Sequence, residues 1–220
     1  IVESEDIPTA AVECRVQPRL LVNPQFIARH AETPEKLLML VMHELHHVLL
    51  GHTTFFERVT PVQNFVFDAV INGLICRMFP QPLYTSFLSE FYSSEKFPEC
   101  LLRPPPRWPE AYVIPKGILS FGKAARDRIA RLHCALYSDG GATYKEVFDV
   151  LPVQLAGAGV DGVPLLGDHD GSGDADGRSA HRSPLLFDVI RGIVEQWPQP
   201  PNPIQGRSLA DIIRSTVVQH

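Results

Sequence analysis

Hydrophobic and polar positions along the chain fall into three regimes, each predicting its own elements. Over residues 11–22, AVECRVQPRLLV carries aliphatic and β-branched residues on both sides of Pro18. That pattern predicts two short strands or one bent strand, ended by the turn pair Asn23-Pro24. The next stretch, TPEKLLMLVMHELHHVLLGH, opens with Thr33 as an N-cap, Pro34 at the first helical position and Glu35 in the first turn, and stops at Gly51. Leu37, Leu38, Leu40, Val41, Leu45, Val48, Leu49 and Leu50 cover most of its circumference, so this helix is expected inside the protein. PVQNFVFDAVINGLICRMF, residues 61–79, predicts a second apolar helix on which Asn64, Asp68 and Asn72 recur every four residues and share one face. A polar stripe on a buried helix requires a partner.

Proline and aromatic residues dominate 80–120, predicting one short helix over 83–92 and a long wrapped connection. An amphipathic helix is expected over 122–137 and a short one in TYKEVFDVL, residues 143–151. Residues 156–183 read as Gly/Asp-rich loop with a short strand at 163–166, and two helices, 184–197 and 208–220, complete the chain. The composition shift places a border near 155. A core over 1–155 is followed by 156–220, packed on the same domain. The fold class expected is α+β, mainly helical.

Composition narrows the function classes. The chain has 220 residues, is 45% hydrophobic and 20% charged, and carries a net charge of −5. That is the balance of a globular protein with a real core, and without a basic face it is not expected to bind nucleic acid. Cys14, Cys76, Cys100 and Cys134 lie far apart and form no CxxC pair, which argues against a cysteine zinc site and for reduced thiols. IVESEDIPTAAVEC has no signal-peptide pattern, and no apolar run reaches membrane-spanning length. A cytoplasmic protein with no membrane partner is expected.

The chemistry concentrates in VMHELHHVLLGH, residues 41–52. His43, Glu44 and His47 form HExxH on a helix, where positions i and i+4 present both imidazoles to one ion. Zinc accepts neutral imidazole, and a catalytic zinc keeps three protein ligands and a water. Glu44 stands next to the first histidine, placed to take a proton from that water. Shuffled chains of this composition show the motif in roughly 2% of cases, so the context decides. Two His and a Glu in an apolar helix cost several kcal/mol unless coordinated or paired. The competing reading is that both histidines are packed and hydrogen-bonded, with Glu44 at the surface.

Two residues are candidates for the third ligand. Asp68, 25 positions after His43, is similar to the zincin arrangement in which a carboxylate on a following helix completes the site. There a polar residue four positions later, here Asn72, supports a ligand histidine. His52, after Gly51, resembles the zincins whose helix breaks at glycine and then offers a third histidine, although it follows His47 by five residues rather than six. Asp68 is favoured over His52. If both bind, the metal site closes and loses room for substrate. His46 is a further donor candidate or a packed histidine. Asn64 polarises a substrate carbonyl or, better, caps its helix. Tyr84, Tyr92, Tyr112 and His133 are candidate oxyanion stabilisers.

Weaker signals remain. DHDGSGDADGRS, residues 168–179, places Asp168, Asp170, Ser172, Gly173 and Asp176 as in a calcium loop. Ser179 stands where a bidentate Glu belongs, so a solvated loop is the better reading, and His169 is its one link to a metal cleft. RPPPRWP, residues 103–109, offers an extended polyproline stretch to a partner or wraps the surface.

HELHHVLLGH followed by NFVFDAVING resembles the bacterial metallopeptidase domain that often precedes a von Willebrand factor A-like domain. RLLVNPQFI, LHCALYSDGG and LLGDHDGSG fit that family's layout more loosely, so the likeness spans about residues 15–185. The resemblance implies a zincin-like fold with a small β-sheet over the active-site helix. It also implies a hydrolytic zinc site at His43, Glu44 and His47, with Asp68 and His52 near the metal. Protein or peptide substrates follow from it, as does partnership with a von Willebrand factor A-like domain or ATPase machinery. The alternative is a metal-stabilised binding or regulatory module without catalysis.

Overall fold

In the computed structural model of the chain, the structure describes residues 1–13, 19–50, 60–158 and 163–166. It is mainly helical with a small three-stranded sheet, as the hydrophobic pattern predicts. The described residues group into two compact units, one containing residues 1–50 and the other the described part of 60–165. The border expected near 155 lies against residues outside the description.

The first unit begins with the sheet. Strands β1 (Val2–Glu3), β2 (Ala10–Glu13) and β3 (Arg19–Val22) are ordered β1-β3-β2. β2 runs antiparallel to β3 with Ala10 opposite Val22, and β1 pairs parallel to β3 with Val2 opposite Leu21. The polar start of the chain thus contributes a strand that its pattern does not predict. Asn23-Pro24 does more than end β3. Asn23 Oδ1 accepts from the Gln25 and Phe26 backbone N–H groups at 2.9 and 3.2 Å, and Pro24 takes the first position of helix α1 (Pro24–His30). The residues that read as a turn signal are an N-cap and an N1 proline, so an unexpected helix follows. Helix α2 (Pro34–Leu49) starts as its sequence predicts, with Thr33 Oγ1 accepting from Lys36 N–H at 3.3 Å. β2 lies against α2, with Ala10, Met39, Leu40 and Met42 in the buried layer.

The second unit is built on helix α3 (Pro61–Met78). Thr60 and Gln63 form a reciprocal capping box at its start, and nearly every side chain from Phe65 to Cys76 is buried. Around it pack helices α4 (Pro82–Phe91), α6 (Lys123–Leu136) and α7 (Tyr144–Val150). A 3-10 turn (Glu99–Leu101) and the short helix α5 (Lys116–Leu119) interrupt the proline-rich connection. Within that connection RPPPRWP is a turn rather than an extended arm. Trp108 N–H donates to Pro105 O at 3.1 Å, its indole N–H donates to Tyr137 O at 2.8 Å, and Pro104 and Pro105 are buried. Helix α8 (Pro152–Ala158) enters the stretch expected to be loop from 156. Residues 163–166, where a short strand is expected, form no strand. His52, His169, the 168–179 loop and the helices expected over 184–197 and 208–220 lie outside the described residues. Among the described residues, no helix is long and apolar enough to cross a membrane.

Candidate metal centre

Helix α2 buries a mixed face, in which Met39, Leu40 and Met42 lie beside four ionisable side chains. Leu37, Leu38, Val41, Leu45, Val48 and Leu49 are only half-buried, while His43, Glu44, His46 and His47 are at most 1% exposed. Ionisable groups lose several kcal/mol of hydration on burial unless they are coordinated or paired, so the four polar members of this face call for a partner. One helical turn apart, His43 Nε2 and His47 Nε2 stand 3.0 Å from each other, with ring centroids at 4.8 Å and planes at 65°. Two neutral imidazoles at this spacing share a single proton or turn both lone pairs to one cation.

The ligand atoms of His43, His47 and Asp68 lie within 4.8 Å of one another, and all three residues are buried. Two imidazole nitrogens and a carboxylate oxygen are a donor set that zinc takes readily. Tetrahedral zinc, at about 2.0–2.1 Å from each ligand, holds its donors about 3.3 Å apart. The histidine pair is within a few tenths of that spacing, and the carboxylate has at most about 1.5 Å to close. The three residues therefore fit the ion. Glu44, 1% exposed, sits on the turn of α2 between the two histidines.

His46 belongs to the same buried face and is held differently. Its Nδ1 lies 2.6 Å from the Met42 carbonyl oxygen, which can only accept, so the proton is on Nδ1. Nε2 is then a bare acceptor, buried and without a hydrogen-bond partner among the described residues. Burial pushes its pKa down to about 4, which keeps the ring neutral at pH 7.

The remaining sequence candidates fall within the second unit. Asn72 Nδ2 donates to the Leu102 carbonyl at 2.9 Å, tying α3 to the connection after the 3-10 turn. Asn64 does not cap α3. It lies one turn inside, the capping box uses Thr60 and Gln63, and Asn64 Oδ1 is buried without a hydrogen-bond partner among the described residues. Tyr84 tilts against Phe79, and Tyr92 is buried at the end of α4 against Phe91. The Tyr112 hydroxyl donates to Ala130 O at 2.9 Å and lies 3.4 Å from His133 Nδ1. His133 Nε2 faces Arg103 O at 3.4 Å, and the ring meets Tyr137 edge-on. Burial lowers the His133 pKa to about 4, so this is a neutral packing histidine facing the Arg103 carbonyl.

Tyr144 is the residue that sequence reasoning passes over. It is 5% exposed, the first residue of α7, and its ring stands edge-to-face on Phe67 at 5.4 Å and 89°. Burial raises its pKa well above 10, and the charge of Asp68 raises it further. The spacing of Tyr144, Val147 and Leu151 marks a buried face in the sequence. Nothing in that spacing announces the Phe67 ring it meets, 77 positions upstream.

No protein-family model matches the chain, and neither does any curated protein or solved structure.

Proposed function

We propose that the chain is a zinc-dependent metallopeptidase of the zincin kind, acting on protein or peptide substrates. The observation that supports it is the grouping of His43, His47 and Asp68 on buried faces, with Glu44 on the turn between the histidines. Zinc bound there supplies Lewis acidity, polarising a scissile carbonyl and bringing the acidity of water close to neutral pH. The chain's own residues do the rest. His43 and His47 act as neutral donors, and Asp68 offsets part of the cation's charge. Glu44 takes the proton of the attacking water and passes it to the leaving amine. Cys76, Cys100 and Cys134 are free thiols, which supports a reducing compartment, the cytoplasm.

Replacing Glu44 by Gln keeps size and hydrogen bonding but removes the base. Peptide hydrolysis by Glu44→Gln is expected to fall at least ~100-fold with zinc content unchanged. Hydrolysis at the wild-type rate by the zinc-loaded variant would exclude this mechanism.

One observation favours a second reading. Every member of the group is at most 1% exposed, as in a metal site that holds a fold together. In that case the chain is a metal-stabilised binding or regulatory module, working with a von Willebrand factor A-like domain or ATPase machinery. Zinc binding without chelator-sensitive hydrolysis of a peptide library, and partner binding retained in Glu44→Gln, would select it.

A further inference from the structure

We infer that Asn64 binds the substrate: its side-chain oxygen accepts a backbone N–H of the peptide, beside the bond to be cut. This deepens the metallopeptidase reading above and rests on it, naming a group that the site recognises.

The polar stripe of α3 carries the argument. Asn64 and Asp68 are four residues apart on the helix, so they share a face one turn apart. Exposure falls along that face from the start of α3. Thr60, the N-cap, is exposed, Asn64 is half-buried and Asp68 is completely buried. The stripe thus leads inward from solvent to the carboxylate grouped with His43 and His47, and Asn64 stands between.

Its neighbours along the stripe are engaged. Thr60 Oγ1 accepts from Gln63 N–H at 3.2 Å, Asp68 belongs to the metal group, and Asn72 donates to Leu102 O at 2.9 Å. Asn64 differs. Its backbone N–H donates to Thr60 O at 2.9 Å, but its Oδ1 is buried without a hydrogen-bond partner among the described residues. In a half-buried residue a fully buried oxygen is turned to the protein side. A buried amide oxygen without a donor costs stability, and Leu would fill nearly the same space without that cost. An acceptor kept there, one turn from a metal ligand, suits a donor that arrives with the substrate.

The chemistry selects that donor. An amide oxygen only accepts, so it cannot polarise a scissile carbonyl and takes an N–H instead. Side chains one helical turn apart are about 5–6 Å from each other, which one or two residues of extended peptide span. A peptide with its scissile carbonyl at the metal therefore brings a neighbouring backbone N–H to Asn64.

The test uses the full chain loaded with zinc and an internally quenched peptide library of mixed sequence. One cleaved sequence is remade with each backbone N–H flanking the scissile bond replaced in turn by an ester oxygen. The wild-type protein is expected to lose roughly 10-fold in kcat/KM at one flanking position. Asn64→Leu should raise KM for the parent peptide by a similar factor at unchanged kcat, and should no longer distinguish that ester. In the zinc-loaded Glu44→Gln background, which binds without cutting, Asn64→Leu should weaken the parent peptide's Kd to the same extent. Zinc affinity should be unchanged and the melting temperature equal to wild type or higher, whereas loss of a merely structural Asn would lower it. Unchanged KM and ester discrimination in Asn64→Leu, with peptides still cleaved, overturn the role of Asn64 and leave the peptidase reading standing. Absence of cleavage by the zinc-loaded wild-type protein overturns both.

Discussion

Among single residues, His133 and His43 show the two fates of a buried histidine. His133 lies between Tyr112 and Tyr137, faces the Arg103 carbonyl, and has its pKa held down at about 4 by burial. Its unfolded-state pKa is near 6.5, so between these values the unfolded chain binds the proton and the folded chain refuses it. The stability this residue contributes is complete above pH 6.5 and is lost as pH falls toward 4. The loss attributable to it between pH 6.5 and 4.5 is roughly 2 kcal/mol. Urea midpoints measured across that window should fall, and His133→Gln should flatten the slope; an equal slope in the variant would show that another group titrates. From sequence, His133 reads equally well as an oxyanion stabiliser, because a lone histidine on a helix does not reveal its neighbours. His43 and His47 differ because they are a pair: a four-residue interval on a helix predicts convergence, and the ring nitrogens meet at 3.0 Å.

Elements were legible where local chemistry marks their ends. Thr33-Pro34-Glu35 announces α2 and Pro61 opens α3, and both helices start there, although the cap of α3 is Thr60 and not the expected Asn64. Asn23-Pro24 announces a boundary that serves a strand end and a helix start equally, which is why α1 was not foreseen. Close packing between helices is less visible still. A Cβ added to Gly73 on α3 would stand 2.5 Å from the Leu136 carbonyl oxygen of α6, so these backbones approach as only glycine permits. Gly73→Ala gains up to about 1 kcal/mol of helix propensity. It must also push α6 away, a clash that costs about 1–3 kcal/mol or more against rigid backbone. A net loss of stability is expected, read as a lower urea midpoint with unchanged helical circular dichroism. A more stable variant would mean that α3 and α6 separate easily.

For the whole molecule, metal binding and folding are expected to be one equilibrium. An ion that binds only the folded chain stabilises it by about 4 kcal/mol at 1,000 times its dissociation constant. For a chain of this size each kcal/mol is worth about 2–4 °C, so saturating zinc should raise the melting temperature by roughly 10 °C. A chelator should reverse the shift, and His47→Ala should abolish it. An identical melting curve with and without zinc would leave the burial of the α2 histidine face without its proposed cause. The same measurement serves both readings of the site, since catalytic and structural zinc each bind the folded chain. Only hydrolysis separates them.

What the sequence determined by itself is whatever depends on short intervals along the chain: the cap of α2, the first-turn prolines of α2 and α3, the i, i+4 histidine pair, the polar stripe of Asn64, Asp68 and Asn72, and the balance of a mainly helical protein with a few strands. Periodicity and capping act within a turn or two, so they can be read without knowing what lies opposite. The tertiary structure alone decided that α2 turns His43, Glu44, His46 and His47 inward together with Met39, Leu40 and Met42. It also folded RPPPRWP into a turn held by Trp108, sent the Asn72 amide to Leu102 and brought the Tyr144 ring onto Phe67. Each of those outcomes is set by packing between segments tens of residues apart, where many arrangements satisfy the same local pattern and only the assembled core selects among them.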